Sequence, residues 1–147
     1  MALQALGIDA LRERLARWAA VLADHQVPLQ AALQALRQTI AESFAGQAGA
    51  DGQPWPPLRP ATLRAKARLG FPPDARVRTG LLRDGWEAQA DAGADAGTLR
   101  SLAAYAGYLN AGTRTIPARP FVPEADQSLA LVRAAYAQAV AAALDNA

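Results

Sequence analysis

The sequence predicts an α+β protein in which amphipathic helices at both ends enclose a small antiparallel β-hairpin. Apolar residues recur at spacings of three and four over residues 8–44 and again over residues 129–144, which is the period of a helix with one apolar face. The period changes to two over residues 86–91, as in a half-buried strand. The stretches between these segments are rich in proline and glycine, so we expect long loops.

The N-terminal 45 residues predict a helical hairpin. Pro28 suits the first turn of a second helix that continues to about Ala45. A single helix that is kinked at Pro28 would share the same pattern. The first apolar stripe is formed by Ile8, Leu11, Leu15, Trp18 and Leu22. The second is formed by Leu29, Leu33, Leu36, Ile40 and Phe44.

Residues 46–84 predict a long loop, a short helix and a helical turn. Trp55 lies between prolines in the loop, and we expect it to pack against the domain's own core, with a place in an interface as the alternative. The helix should run from Pro60 to Leu69 with Leu63 facing inward, and the turn should follow Gly80.

Residues 85–104 predict a β-hairpin. Trp86, Ala88 and Ala90 alternate with polar residues, and residues 98–103 can form the return strand. The connection over residues 91–97 is small and turn-rich, as in a projecting loop. An isolated hairpin is marginally stable, so it must join another sheet, pack on the helices or pair with a neighbouring subunit.

Residues 105–123 predict a proline-stiffened arm that precedes a C-terminal helix over residues 124–147. Each proline restricts its own backbone and favours an extended residue before it. Arg119 and Phe121 are two apart, so in an extended chain they would share one face and be presented together. The alternative is an ordinary stiff loop that leads into the terminal helix.

Composition predicts one domain of 147 residues with a thin, alanine-rich core. Such a core favours closely packed helices or completion by neighbouring subunits. The net charge is +2, but residues 59–83 carry +6 and the last 27 residues carry −2. This asymmetry is typical of a surface that faces nucleic acid or another subunit, and a solvated basic face is the plain alternative.

Several classes of protein and site are excluded by what the sequence lacks. It has no cysteine, one histidine and no nucleophile, phosphate-loop or metal-spaced motif. We therefore expect no enzyme activity, no cofactor and no metal site. No apolar run approaches the roughly 20 residues of a membrane span, and the first residues do not resemble a signal peptide. We expect a protein made in the cytoplasm, without a membrane partner.

Short motifs follow one another in a fixed order between residues 51 and 121. They are Asp51-Gly52 with Trp55, Pro57-Leu58 with Thr62 and Lys66, Thr79-Gly80 with Leu82, Tyr105-Ala106 with Gly112, and Pro117-Ala118-Arg119-Pro120-Phe121. Together they resemble the virion morphogenesis (tail-completion, or neck) family of tailed phages, particularly of Mu-like phages.

The resemblance implies a non-enzymatic structural protein of the phage head–tail junction. Such proteins form rings, usually hexamers or dodecamers, around the channel through which double-stranded DNA passes. The implied partners are other neck, portal-adaptor and tail-tube or terminator proteins. A tail-terminator or head–tail adaptor or stopper ring is an alternative within the same assembly, and a basic nucleic-acid-binding module is an alternative of another class.

Two sets of candidate residues follow from this interpretation. We expect the arm to dock Phe121 into an adjacent subunit or ring while Arg119 pairs with a carboxylate there. The candidate interface residues are Trp55, Tyr105, Tyr108, Arg114, Arg119, Pro120 and Phe121. The candidate DNA-channel residues are Arg64, Lys66, Arg68, Arg76 and Arg78, whose contacts would be to phosphates and independent of sequence.

Overall fold

Helices at both ends of the chain and a central two-stranded sheet form the structure, a computed structural model. It describes residues 2–91 and 96–146, with side chains described from Gly7 onward within those ranges. The elements are α1 (Ala2–Ala23), α2 (Gln26–Gly46), α3 (Pro60–Arg68), α4 (Leu81–Asp84), β1 (Trp86–Ala90), β2 (Gly97–Ser101), α5 (Ala106–Ala111) and α6 (Ala125–Asp145). The predicted α+β class is confirmed.

The β-hairpin pairs β1 with β2 in an antiparallel register that places Trp86 opposite Ser101 and Ala90 opposite Gly97. Alternate residues of β1 turn inward, as the two-residue period predicts. Residues 92–95, the middle of the predicted projecting loop, lie outside the described residues.

The hairpin is supported by packing against α2. The Gln30 side chain occupies the outer edge of β1, where its Nε2 donates to the Ala88 carbonyl at 3.3 Å and its Oε1 accepts from the Ala90 amide at 3.2 Å. The sheet also lies close to the helix, since a Cβ at Gly97 would come within 2.8 Å of Leu33 Cδ1. Of the three alternatives for stabilising the hairpin, packing on a helix is the one observed.

The core joins aromatic side chains from distant parts of the sequence. Phe121 is 0 % exposed. Its ring centroid lies 5.2 Å from that of Phe44 on α2 and 6.2 Å from that of Trp86 on β1. Trp55 meets Phe44 edge to face at 5.5 Å, a favoured aromatic geometry. Helix, strand, loop and arm therefore share one core.

The two N-terminal helices do not form the predicted hairpin. Only Asp24 and His25 separate α1 from α2. His25 keeps a right-handed helical backbone (φ −86°, ψ −10°), and the Leu29 amide donates to its carbonyl at 3.0 Å. Over the described residues, helix α1 does not pack along α2, so the chain does not fold back on itself. Instead α6 packs along α2 and also contacts α1.

Helix α6 covers the junction of α1 and α2 with an incompletely buried face. Tyr136 forms a hydrogen bond with the His25 ring at the start of α2. The predicted apolar face is half-buried at Val132, Tyr136, Val140 and Leu144. Leu129, the first residue of that face, is 47 % exposed. No described side chain of α6 is fully buried, so this helix adds little to the core.

The substitutions Ile40→Ala and Leu15→Ala should differ in how much they lower the free energy of unfolding, because Ile40 lies in the core and Leu15 on the exposed face of α1. Ile40 is fully buried, and its truncation should lower the free energy of unfolding by about 2–5 kcal/mol. Leu15 is 50 % exposed, so the same truncation should cost about 1 kcal/mol or less. Urea denaturation at a concentration where the chain is monomeric measures both changes. Equal losses would contradict the observed exposure of Leu15.

Candidate assembly surfaces

The arm folds back onto the proline-rich loop around Trp55. Proline carbonyls accept hydrogen bonds, but proline has no amide N–H to donate, so side chains supply the donors. Arg119 donates from Nε and Nη2 to the Pro56 carbonyl at 2.8 and 2.6 Å, and from Nη2 to the Pro57 carbonyl at 3.2 Å. Trp55 Nε1 donates to the Pro120 carbonyl at 2.8 Å. The two proline-rich segments are thereby joined in both directions.

Asn110 fixes the following part of the arm. Its Oδ1 accepts from the amides of Phe121 and Val122 at 2.9 and 3.0 Å. This single side chain serves two backbone donors that would otherwise be buried without a partner. It directs the Phe121 ring into the core of its own chain.

The predicted insertion of Phe121 into a neighbouring subunit is therefore wrong. Phe121 is 0 % exposed and Arg119 is 5 % exposed, and the arm holds both inward where an extended, projecting arm was expected. Trp55 packs in its own core, as the first of its two interpretations predicts. The remaining interface candidates lie on the surface: Tyr105, Tyr108, Arg114 and Pro120.

The structure also divides the predicted DNA-channel residues. Arg64 and Arg68 are exposed on α3, and Arg78 is exposed with its guanidinium 4.7 Å from the centre of the Phe71 ring. Lys66 is half-buried, and its Nζ donates to the carbonyls of residues 74 and 77, at 2.6 Å each. It lies inward, contrary to the prediction, whereas Leu63, predicted to face inward, is 39 % exposed.

Arg76 is the second predicted channel residue that the structure turns inward. Its Nη2 donates to the Leu109 carbonyl at 2.8 Å and to the Pro117 carbonyl at 3.0 Å. Its φ of +62° is uncommon for a residue with a side chain. Arg76 thus ties α5 and the arm to the loop before α4, and its guanidinium does not project towards DNA.

The three inward cations, Lys66, Arg76 and Arg119, form no ion pair with a carboxylate of the described residues. Burial lowers the pKa of Lys66, and Asp74 offsets this in part. Burial also lowers the pKa of Arg119. The pKa of Arg76 is lowered first by burial and then by the positive charge of Arg119. Arg76 Nε is buried and has no hydrogen-bond partner within residues 2–91 and 96–146. Backbone carbonyls therefore solvate these cations without neutralising them.

These cations surround a groove of about 840 Å³ between α3, α4, α5 and the arm. Apolar side chains form most of its surface, and the described residues that line it include no aspartate or glutamate. Its main apolar residues are Leu58, Leu69, Leu81, Leu82, Tyr105, Leu109 and Ile116. Its cationic residues are Arg59, Lys66, Arg76, Arg78 and Arg119.

A second apolar surface runs along α1. The predicted stripe exists, but it is turned to solvent and not to the core. Its residues have exposed fractions of 53 % for Ile8, 56 % for Leu11, 50 % for Leu15 and 54 % for Leu22. Trp18, in the middle of the stripe, is half-buried, and the Arg14 guanidinium lies 4.8 Å from the centre of its ring. We call this surface the α1 stripe.

Sequence reasoning missed Asn110 and predicted a different role, a DNA contact, for Lys66. Both work by satisfying backbone groups of loops. The signal that could have found Asn110 is the density of proline over residues 117–123. Segments with few amide donors need side-chain donors and acceptors from elsewhere, but periodicity does not reveal which side chains supply them.

Neither a metal centre nor a membrane-spanning segment is seen in the described part of the chain. No three histidine, aspartate or glutamate side chains in residues 2–91 and 96–146 are grouped so that they could hold a metal ion. Over the same residues, no helix has the length and apolar character needed to cross a bilayer.

Comparison with known proteins gives one match. A family model described as the phage virion morphogenesis family matches residues 6–140, which include the α1 stripe, the groove and the arm. No curated protein and no solved structure matches the chain.

Phe121→Ala should destabilise the fold itself. Truncating a fully buried phenylalanine typically costs about 3–5 kcal/mol, and Phe121 joins three parts of the core. Tyr108→Ala is the matched control, because this aromatic residue is 71 % exposed and its truncation should change the free energy of unfolding by less than about 1 kcal/mol. Chemical denaturation compares the two. A Phe121→Ala chain of unchanged stability would support a projecting arm after all.

Proposed function

Because the chain belongs to the phage virion morphogenesis family, we propose that it is a structural protein of the head–tail junction. Family membership makes it a bacteriophage protein of virion assembly and a component of the virion. Our finer proposal is a tail-completion or neck role, in which hexameric or dodecameric rings surround the DNA channel and join the head connector to the tail.

The α1 stripe is the observation that carries this proposal. Its four aliphatic side chains are each about half exposed, and they follow one another along the helix at spacings of three, four and seven residues. Burying the exposed half of each would contribute roughly 1 kcal/mol. Contiguous apolar surface of this kind typically marks a protein–protein contact, so a subunit built for assembly accounts for it.

The packing of α6 supports the same conclusion. Neither α1 nor α6 has a fully buried side chain among its described residues, although both are amphipathic and more than 20 residues long. Most helical stability in proteins comes from packing of the apolar face. A pair of long, thinly packed helices is therefore expected to complete its core with helices of neighbouring subunits.

The proposal extends to partners and location. The ring would contact portal-adaptor, other neck and tail-tube or terminator proteins, after synthesis in the host cytoplasm. It would need no enzyme activity and no cofactor, since holding two particle parts together requires only complementary surfaces. A tail-terminator or a stopper ring would use the same surfaces and differ only in its position in the stack.

Exposed cations on α3 support the proposal that the ring surrounds DNA. Arg64 and Arg68 have no hydrogen-bond or ion-pair partner among the described residues. They lie four apart on a helix and therefore on one face. Contacts of exposed arginines to phosphates are independent of sequence, which suits DNA that must slide through the ring.

The mass of the wild-type protein, measured by light scattering, should correspond to six or twelve subunits. Leu11→Glu with Leu15→Glu places two charges on the α1 stripe and should yield a folded monomer. Ala16→Glu with Ala20→Glu is the matched control, because both alanines are exposed on α1 outside the stripe, and it should assemble normally. Circular dichroism checks that each variant is folded. A wild-type chain that stays monomeric at every concentration and salt would contradict a self-assembling ring.

Arg64→Glu with Arg68→Glu should weaken binding to duplex DNA without changing the ring mass. Loss of two phosphate contacts should reduce the slope of log affinity against log salt by about 1.8. The loss should be the same for duplexes of different sequence. Arg133→Glu, an exposed arginine on α6, serves as the control. An unchanged salt dependence would place the α3 face away from the DNA.

A further inference from the structure

We propose that the groove between α3, α4, α5 and the arm binds the first turns of α6 from a neighbouring copy of this chain. Glu124 and Asp126 of that copy would face the cations of the groove, and Leu129 would enter its apolar floor. This inference rests on the proposed ring and specifies which surfaces meet in it.

The groove is built for an anion that carries apolar groups. Five cations line it, and the described lining residues provide no carboxylate to balance them. Lys66, Arg76 and Arg119 are held by backbone carbonyls, so they are fixed in place and still charged. Interaction between a carboxylate and a fixed, partly desolvated cation is stronger than between mobile surface charges.

The apolar floor favours a peptide over a phosphate backbone. Ile116 and five leucines contribute to it: Leu58, Leu69, Leu81, Leu82 and Leu109. Duplex DNA presents a charged exterior that could not displace water from these side chains, whereas an amphipathic helix buries apolar residues in such a groove. The volume of about 840 Å³ is within the usual range of ligand-binding pockets.

The start of α6 carries the complementary groups. Glu124 and Asp126 are exposed, and neither side chain has an ion-pair or hydrogen-bond partner among the described residues. Leu129 is 47 % exposed and lies three residues beyond Asp126, on the same helix face. By contrast, Asp84 and Glu87 already pair with Arg83 and Arg100.

The contact between subunits would be heterologous, because the groove and the start of α6 are different surfaces of one subunit. A contact between unlike surfaces generates a closed ring when its rotation closes, and an open filament when it does not. The α1 stripe would then add to an interface whose direction is set by the charges.

Charge exchange tests the pairing. Arg59→Glu with Arg78→Glu reverses two groove cations that hold no backbone contact of the fold, and Glu124→Arg with Asp126→Arg reverses the helix. Each variant alone should be a folded monomer in light scattering. Equimolar mixing of the two single-surface variants should give a 1:1 heterodimer, since only one productive contact remains.

Arg64→Glu with Arg68→Glu is the matched control, because it makes the same change of charge on neighbouring residues outside the groove and should leave the multimer intact. If the wild-type chain is a multimer and the groove variant keeps its mass, the docking is overturned while the ring stands. Failure of the mixed variants to form the heterodimer, with both folds intact, also overturns the docking. A wild-type monomer would overturn the ring, and with it this contact.

Discussion

The structure depends on how two proline-rich segments satisfy one another. Residues 54–57 and 117–123 offer many carbonyls and few amide donors, so they cannot pair as strands. The guanidinium of Arg119 and the indole of Trp55 supply the missing donors across the gap. These bonds set the course of the arm, and Phe121 then reaches the centre of the core as a consequence.

This constraint decides which surfaces remain for assembly. An arm that projects from the domain would present Phe121 to a neighbouring subunit, but here the phenyl ring of Phe121 is fully buried. The proposed assembly would therefore use surfaces that the fold leaves uncovered, such as the α1 stripe and the groove beside the arm. Folding and the proposed assembly would be linked through the arm, because Arg119 and Pro117 belong both to the internal contacts and to the wall of the groove.

Much of the secondary structure could be predicted from the sequence, because helices and strands impose a local period on apolar residues. The β-hairpin and the terminal helices follow from that period. The period of the α1 stripe shows which residues share a face, but not whether anything covers it. Likewise, the charges of Lys66 and Arg76 suggested a surface role, whereas loop carbonyls far along the chain draw both side chains inward.

The same physics connects the inward cations with assembly. Burial lowers the pKa of Lys66, Arg76 and Arg119, and a cation that bonds to carbonyls is less stabilised than one that bonds to a carboxylate. A partner that brings carboxylates into the groove would remove that deficit and hold α5 and the arm more firmly at the same time. Binding and local order would then increase together, since one set of side chains serves both.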